Sequence, residues 1–322
     1  MMTDKLDMKI LHELDMNARQ SVKRMAKNLR KNRDVVAYRI KQMEKSGIIA
    51  GYYSVIDFSK LGYMLVRVYV KLCNVSPAKE KEILGYLKRA GFTFWVAKTE
   101  GEWDIVIGCI SGNFREFERD WEDFERLYRK NIHEKDIAVF SAFVHFTKDY
   151  LACGKHGIRK PIVTGTGKKT KLDRMDLKLL NEISSNAKIS LLELSGKLGM
   201  TSMAARYRIK RLERMGVILG YRPVISNEKL GIKYYKLDME LEDIRVKEKL
   251  RQFVSSIPNV IYEDRTIGGS DFEFDLETFS HEEFMEILNK IRSMFPGKIR
   301  TYKYYLTTKI HKILYIPKKI SK

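Results

Sequence analysis

The stretch YRIKQMEKSGIIAGYYSVI at 38–56 returns as YRIKRLERMGVILGYRPVI at 207–225, and residues 7–63 align with 176–232 without a gap, at an offset of 169. Shared positions include Asp7 and Asp176, Asn17 and Asn186, Ser21 and Ser190, Tyr38 and Tyr207, Arg39 and Arg208, Gly47 and Gly216. A chain built this way must fold as two copies of one unit, and its 322 residues leave each copy room for its own core.

Within each copy the apolar period is helical three times over. Leu6, Ile10, Leu11 and Leu14 mark a first helix. Ser21 caps a second with Val22, Met25, Ala26 and Leu29, and a third starts near Asn32 and buries Val36, Ile40 and Met43. The second copy repeats this with Leu177, Leu180 and Ile183, the Ser190 cap, and a Thr201 cap before Ala205, Ile209 and Leu212. Three short helices with a tight turn between the last two, followed by a strand-like GVILGYRPVI, spell a winged helix-turn-helix.

Beyond each unit the period changes. From residue 64 the order is strand, helix, strand, strand, helix, strand, and the same order returns from 233. That is the split βαββαβ plan of a ferredoxin-like domain. Between the copies, residues 152–171 are rich in Gly and Lys without apolar period, which reads as a flexible basic linker. The predicted fold class is α+β, with two winged helix-turn-helix domains (1–58 and 172–227) alternating with two ferredoxin-like domains (59–151 and 228–311), and a basic tail at 312–322.

The net charge of +20 is unevenly placed. Residues 1–51 carry +6, 152–171 carry +6, 172–221 carry +4 and 312–322 carry +4, whereas 52–151 and 222–311 are neutral. A basic surplus confined to helix-turn-helix units, linker and tail is the footprint of a duplex-DNA binder.

Other function classes find little support. Apolar runs are too short to span a bilayer, and the opening MMTDKLDMKI lacks a signal core, so a cytoplasmic protein without a membrane partner is expected. Cys73, Cys109 and Cys153 are far apart, and six histidines have no metal-ligand spacing, so no metal or cofactor is expected. GTGKKTK fails the Walker pattern, since Ile162 stands where the first glycine is needed. No catalytic residues are identified.

If the third helix enters the major groove, its buried face fixes the outward one. The predicted DNA-binding residues are Asn32, Arg33, Asp34, Tyr38, Arg39 and Lys41 in the first copy, and Thr201, Ser202, Met203, Arg206, Tyr207, Arg208 and Lys210 in the second. Arg33 and Arg206 are the candidates for guanine. Arg39 and Arg208 lie closer to the buried face, where locking the fold and holding a phosphate are both open. Asp34 stands opposite Met203 in the alignment, so the site read should be asymmetric.

LDMKILHELDMNAR, YRIKQMEKSGIIAGYYSVIDFSKLGY and their second copies resemble the Lrp/AsnC family of prokaryotic transcription regulators. The resemblance implies that each sheet domain is a RAM module, which in such proteins dimerises by sheet packing and binds an amino acid or related effector. It also implies a homo-oligomer or, with two copies per chain, an intramolecular pseudo-dimer. In the family an effector pocket lies near a Gly and an Asp between the second and third RAM strands; Gly101 and Asp104, then Gly268 and Asp271, hold those positions here. A hairpin-turn role for the same four residues is the alternative. Sirohaem decarboxylases share the two-part architecture, but their His-bearing motif is missing from 63–72 and 232–241. A non-specific nucleic-acid-binding or scaffold protein is a third reading.

Overall fold

The computed structural model describes residues 3–154, 159–314 and 316. The first copy runs α1 (Lys5–Met16), α2 (Val22–Leu29), α3 (Arg33–Lys45), β1 (Ile49–Ile56), β2 (Met64–Leu72), α4 (Pro77–Arg89), β3 (Thr93–Gly101), β4 (Ile105–Ser111), α5 (Phe114–Tyr128) and β5 (Ile132–His145). A short β6 (Ile162–Thr164) leads to the second copy. That copy comprises α6 (Arg174–Ser184), α7 (Leu191–Leu198), α8 (Ser202–Arg214), β7 (Ile218–Ile225), α9 (Asn227–Leu230), β8 (Lys233–Leu241), α10 (Lys247–Ser255), β9 (Val260–Ile267), β10 (Phe272–Thr278), α11 (His281–Met294) and β11 (Ile299–Ile313).

The helices start where polar side chains take up free amides. Asp4 with Asp7, and Asp173 with Asp176, form matching capping boxes on α1 and α6. Ser21 and Ser190 cap α2 and α7.

The strand after each helix-turn-helix pairs with the other copy. β1 runs antiparallel to β7, with Tyr53 opposite Arg222, so equivalent residues meet at a pseudo-two-fold axis. The Ala18 amide donates to Tyr221 O at 2.9 Å, and its counterpart Ala187 donates to Tyr52 O at 3.0 Å. Ile10, Leu14, Met43, Leu180, Ile183 and Leu212 consequently share one core. The two helix-turn-helix units are thus a fused pair, because an isolated strand would leave its amides and carbonyls unmatched.

The two sheets also fuse, which corrects the expectation of separate ferredoxin-like domains packed face to face. Each half keeps the βαββαβ order, but β3 pairs with β11 and β5 with β9. The circuit β2-β4-β3-β11-β8-β10-β9-β5 closes through the β2–β5 pair into one eight-stranded barrel, with β6 added beside β5. Closure removes the four edges that two open sheets would expose. Outside the barrel, Leu87 and Phe124 of α4 and α5 pack on Val68 and Ile107, and Leu250 and Leu288 of α10 and α11 on Leu237 and Phe274.

The segment expected to be a flexible linker is tied down where it is described. β6 pairs with β5. Beyond it, the amides of Gly165 and Gly167 donate to Asp57 Oδ1 and Ser59 Oγ, at 2.9 and 2.8 Å. Residues 155–158 of that segment lie outside the described residues. The expected tail also begins as structure, since Lys312 and Ile313 belong to β11 and Ile316 is buried in the helix-turn-helix core; 315 and 317–322 lie outside the described residues. Among the described residues no helix is long and apolar enough to cross a membrane.

Candidate nucleic-acid interface

α3 and α8 are built alike. Asn32 Oδ1 accepts from the Asp34 amide at 2.7 Å, and Thr201 Oγ1 from the Ala204 amide at 3.1 Å, so both predicted contacts are N-caps. Val36, Ile40 and Met43 anchor α3; Ala205, Ile209 and Leu212 anchor α8. This leaves Arg33, Asp34, Tyr38 and Lys41 exposed on one helix and Met203, Arg206, Tyr207 and Lys210 on the other. Tyr38 and Tyr207 are exposed to nearly the same extent, 59% and 61%, and Met203 to 72%.

Three predicted contacts turn inward. Arg39 Nη1 bonds Asp4 Oδ2 at 2.6 Å and Asp7 Oδ1 at 3.1 Å, and Arg208 Nη1 reaches Asp173 Oδ2 and Asp176 Oδ1, both at 2.7 Å. These pairs clamp the third helix of each copy to the capping box of the first. The Asp7 amide and then Arg39 hold the Asp4 carboxyl below its ordinary range. Ser202 is the third, its Oγ lying 3.1 Å from Ser195 Oγ of α7. The turn between α2 and α3 is made by Arg30 at φ 52°, where the second copy has Gly199 at φ 62°.

Gly101, Asp104, Gly268 and Asp271 shape the two hairpins at the end of the barrel away from α3 and α8. Asp104 Oδ2 accepts from the Leu72 amide at 2.7 Å and Asp271 Oδ2 from the Leu241 amide at 2.8 Å. Each carboxylate thereby ties its hairpin to the neighbouring strand, the turn role that Asp serves so well.

The barrel interior holds a cluster that sequence reasoning missed. Lys236 Nζ lies 2.6 Å from Asp264 Oδ2, 3.1 Å from Glu273 Oε2, 3.5 Å from Asp275 Oδ1 and 3.6 Å from Asp238 Oδ1. Arg67 Nη2 adds a contact of 3.2 Å to Asp264. Four carboxylates thus face two cations. Burial pushes Asp238 well above the usual carboxylate range, Lys236 opposing and the neighbouring acids reinforcing; Asp275 is raised for the same reason. Nearly all of this charge comes from the second copy. By strand register, Asp238, Glu273, Asp264 and Asp275 match Tyr69, Val106, Ala97 and Gly108 of the first. The available signal was the alternation of acids in FEFDLET at 272–278, which puts Glu273, Asp275 and Glu277 on one face of a strand.

Comparison with known proteins agrees with this architecture. A winged helix-turn-helix DNA-binding family model matches residues 3–50 and again 172–218. The proline dehydrogenase transcriptional activator of Rhodobacter capsulatus is 30% identical over 136 residues, covering 41% of this chain and 88% of that protein. The leucine-responsive regulatory protein of Haemophilus influenzae is 34% identical over 138 residues, covering 41% and 82%. Over the full chain the fold is similar to that of the siroheme decarboxylase NirDL, with a TM-score of 0.65, 13% identity, and coverage of 98% of this chain and 94% of that one.

Paired helix-turn-helix units with exposed basic third helices, set on a closed barrel, define a DNA-binding transcription regulator. The chain belongs to the Lrp/AsnC family and carries the family's module twice.

Proposed function

We propose that this chain binds duplex DNA sequence-specifically as a self-contained pseudo-dimer whose two heads read different half-sites. The observation that supports this most is the contrast between α3 and α8. Their caps, anchors and clamps match, whereas their exposed faces differ, with Arg33 and Asp34 on one and Met203 and Arg206 on the other. In this reading Arg33 and Arg206 reach base edges, Tyr38, Lys41, Tyr207 and Lys210 lie along the groove and backbone, and the cap residues Asn32 and Thr201 meet phosphate. An amino acid or related small effector would tune that binding.

The test is a mobility shift on DNA upstream of the protein's own gene, against excess random duplex across a salt series. Affinity tens-fold or more above random sequence, with a footprint lacking two-fold symmetry, is expected. A perfectly palindromic footprint would contradict non-equivalent heads, and binding erased by competitor would contradict specificity.

The full-length likeness to a siroheme decarboxylase supports a second reading, in which the chain handles a tetrapyrrole. Fold alone does not carry that chemistry. Titration with sirohaem should leave the absorbance spectrum equal to the sum of its parts; a shifted, saturable spectrum would favour the enzyme.

A further inference from the structure

The two heads differ most where each third helix begins. Residues 21–34 of the first copy hold Lys23, Arg24, Lys27, Arg30, Lys31 and Arg33 against the single acid Asp34, a surplus of +5. The matching residues 190–203 hold one cation, Lys197, and one acid, Glu193, and are neutral. Apolar side chains stand there in place of charge: Leu192 where the first copy has Lys23, Met200 where it has Lys31, and Met203 where it has Asp34. Leu192 and Met203 are 78% and 72% exposed.

A pair of hydroxyls fixes this apolar edge. Ser195 Oγ donates to Leu192 O at 2.8 Å, and Ser202 Oγ lies 3.1 Å from Ser195 Oγ and 3.4 Å from Leu191 O, so the first turns of α7 and α8 are stitched together. The first copy has Ala26 and Arg33 at the two serine positions and lacks the stitch. Met203 is the second residue of α8, directly after Ser202. Side chains at that end of a groove-binding helix are the ones that reach base edges. A thioether cannot hold a phosphate, but it is unbranched, polarizable and adapts to an apolar partner. The apolar feature of the major groove is the C5 methyl of thymine. Asp34, at the matching place in α3, presents a carboxylate instead and gains nothing from a methyl.

We propose that Met203 is a specificity-determining residue of the second head, packing on the C5 methyl of a thymine in that head's half-site. The first head has no equivalent contact, so the methyl is read once per chain. This deepens the sequence-specific DNA-binding reading above and rests on it.

The experiment selects duplexes from a random pool with the full chain, then replaces each thymine of the selected site in turn by deoxyuridine, which removes the methyl and nothing else. Affinities are compared by competition at fixed salt. Expected is a position in one half-site where deoxyuridine weakens binding about three- to fivefold, the worth of one buried methyl group. Met203→Ala should weaken binding to the thymine duplex by a similar factor and abolish the difference between thymine and deoxyuridine at that position. Its Tm should match the parent's, because the side chain is exposed. Asp34→Ala should keep the difference. Specific binding insensitive to every methyl, or a methyl effect equally large in Met203→Ala, would overturn this inference while leaving sequence-specific binding intact, and would turn the edge formed by Leu192 and Met203 over to a protein partner. A pool from which no sequence is enriched would overturn both readings.

Discussion

Tyr53 and Arg222 hold the same place in the two copies and face one another across the β1–β7 pair, at the pseudo-two-fold axis. There the symmetry of the chain breaks. Arg222 Nη1 donates to Phe146 O at 2.6 Å and lies 3.7 Å from Asp15 Oδ1, so one buried guanidinium joins β7, α1 and the end of the barrel.

Arg222→Ala should therefore cost about 3–5 kcal/mol in denaturant unfolding, because it strands the buried Asp15 carboxylate. Tyr53→Phe should cost far less. Equal, small effects would show that the axis carries no ionic load.

Arg206→Ala should lower affinity for the specific duplex by about 1–3 kcal/mol and relax base choice at its contact. Lys168→Ala with Lys169→Ala should weaken all duplexes alike and reduce the salt slope. A salt series on matched and mismatched duplexes separates the two; reversed patterns would move sequence reading from α8 to the 152–171 segment.

Arg208→Ala should behave as a stability variant. It removes one of two guanidinium partners of Asp176, which is fully buried and keeps Arg211, so an unfolding loss of roughly 1 kcal/mol is expected with base preference retained. Altered preference at unchanged Tm would instead place Arg208 on the DNA.

Arg30→Gly should stabilise the chain by roughly 0.5 kcal/mol. The residue sits in the left-handed region, which costs about 1–2 kcal/mol for a side chain, partly offset by the greater freedom of glycine when unfolded. Chemical denaturation showing a loss of stability would mean that the Arg30 side chain makes compensating contacts.

His145 is enclosed by Phe143, Tyr262 and Thr164, and burial followed by the charge of Arg222 pushes its imidazole down from 6.5 to about 3. Folded, the ring stays neutral; unfolded, it takes a proton below pH 6.5. The unfolded state then binds more protons, so stability is lost as pH falls from 6.5 towards 3. His145→Phe should flatten the Tm profile across that window. A profile identical to the parent would assign the acid loss to other groups.

Much of the outline was legible in the residues. The offset of 169, the Ser21 and Ser190 caps, and the anchors Val36, Ile40 and Met43 follow from local rules, since periodicity and capping act within a few residues. Arg39 and Arg208 were harder. A residue flanking the buried stripe can face a groove or a neighbouring helix, and only the position of Asp4 and Asp173 decided it. The expected linker failed for the same reason: Gly165 and Gly167 have no apolar period, yet their amides find Asp57 and Ser59 more than a hundred positions away.

The sequence alone determined that there are two copies, which helices they contain, where the positive charge lies and which side chains anchor each third helix. Each of these is a matter of residue type and short-range spacing. Only the tertiary structure decided that the two sheets close into one barrel and that the acids of 272–278 meet Lys236 and Arg67 inside it. Strand pairing is set by which distant edges satisfy one another's amides and carbonyls, and nothing local to β3 or β11 says that the other is its partner.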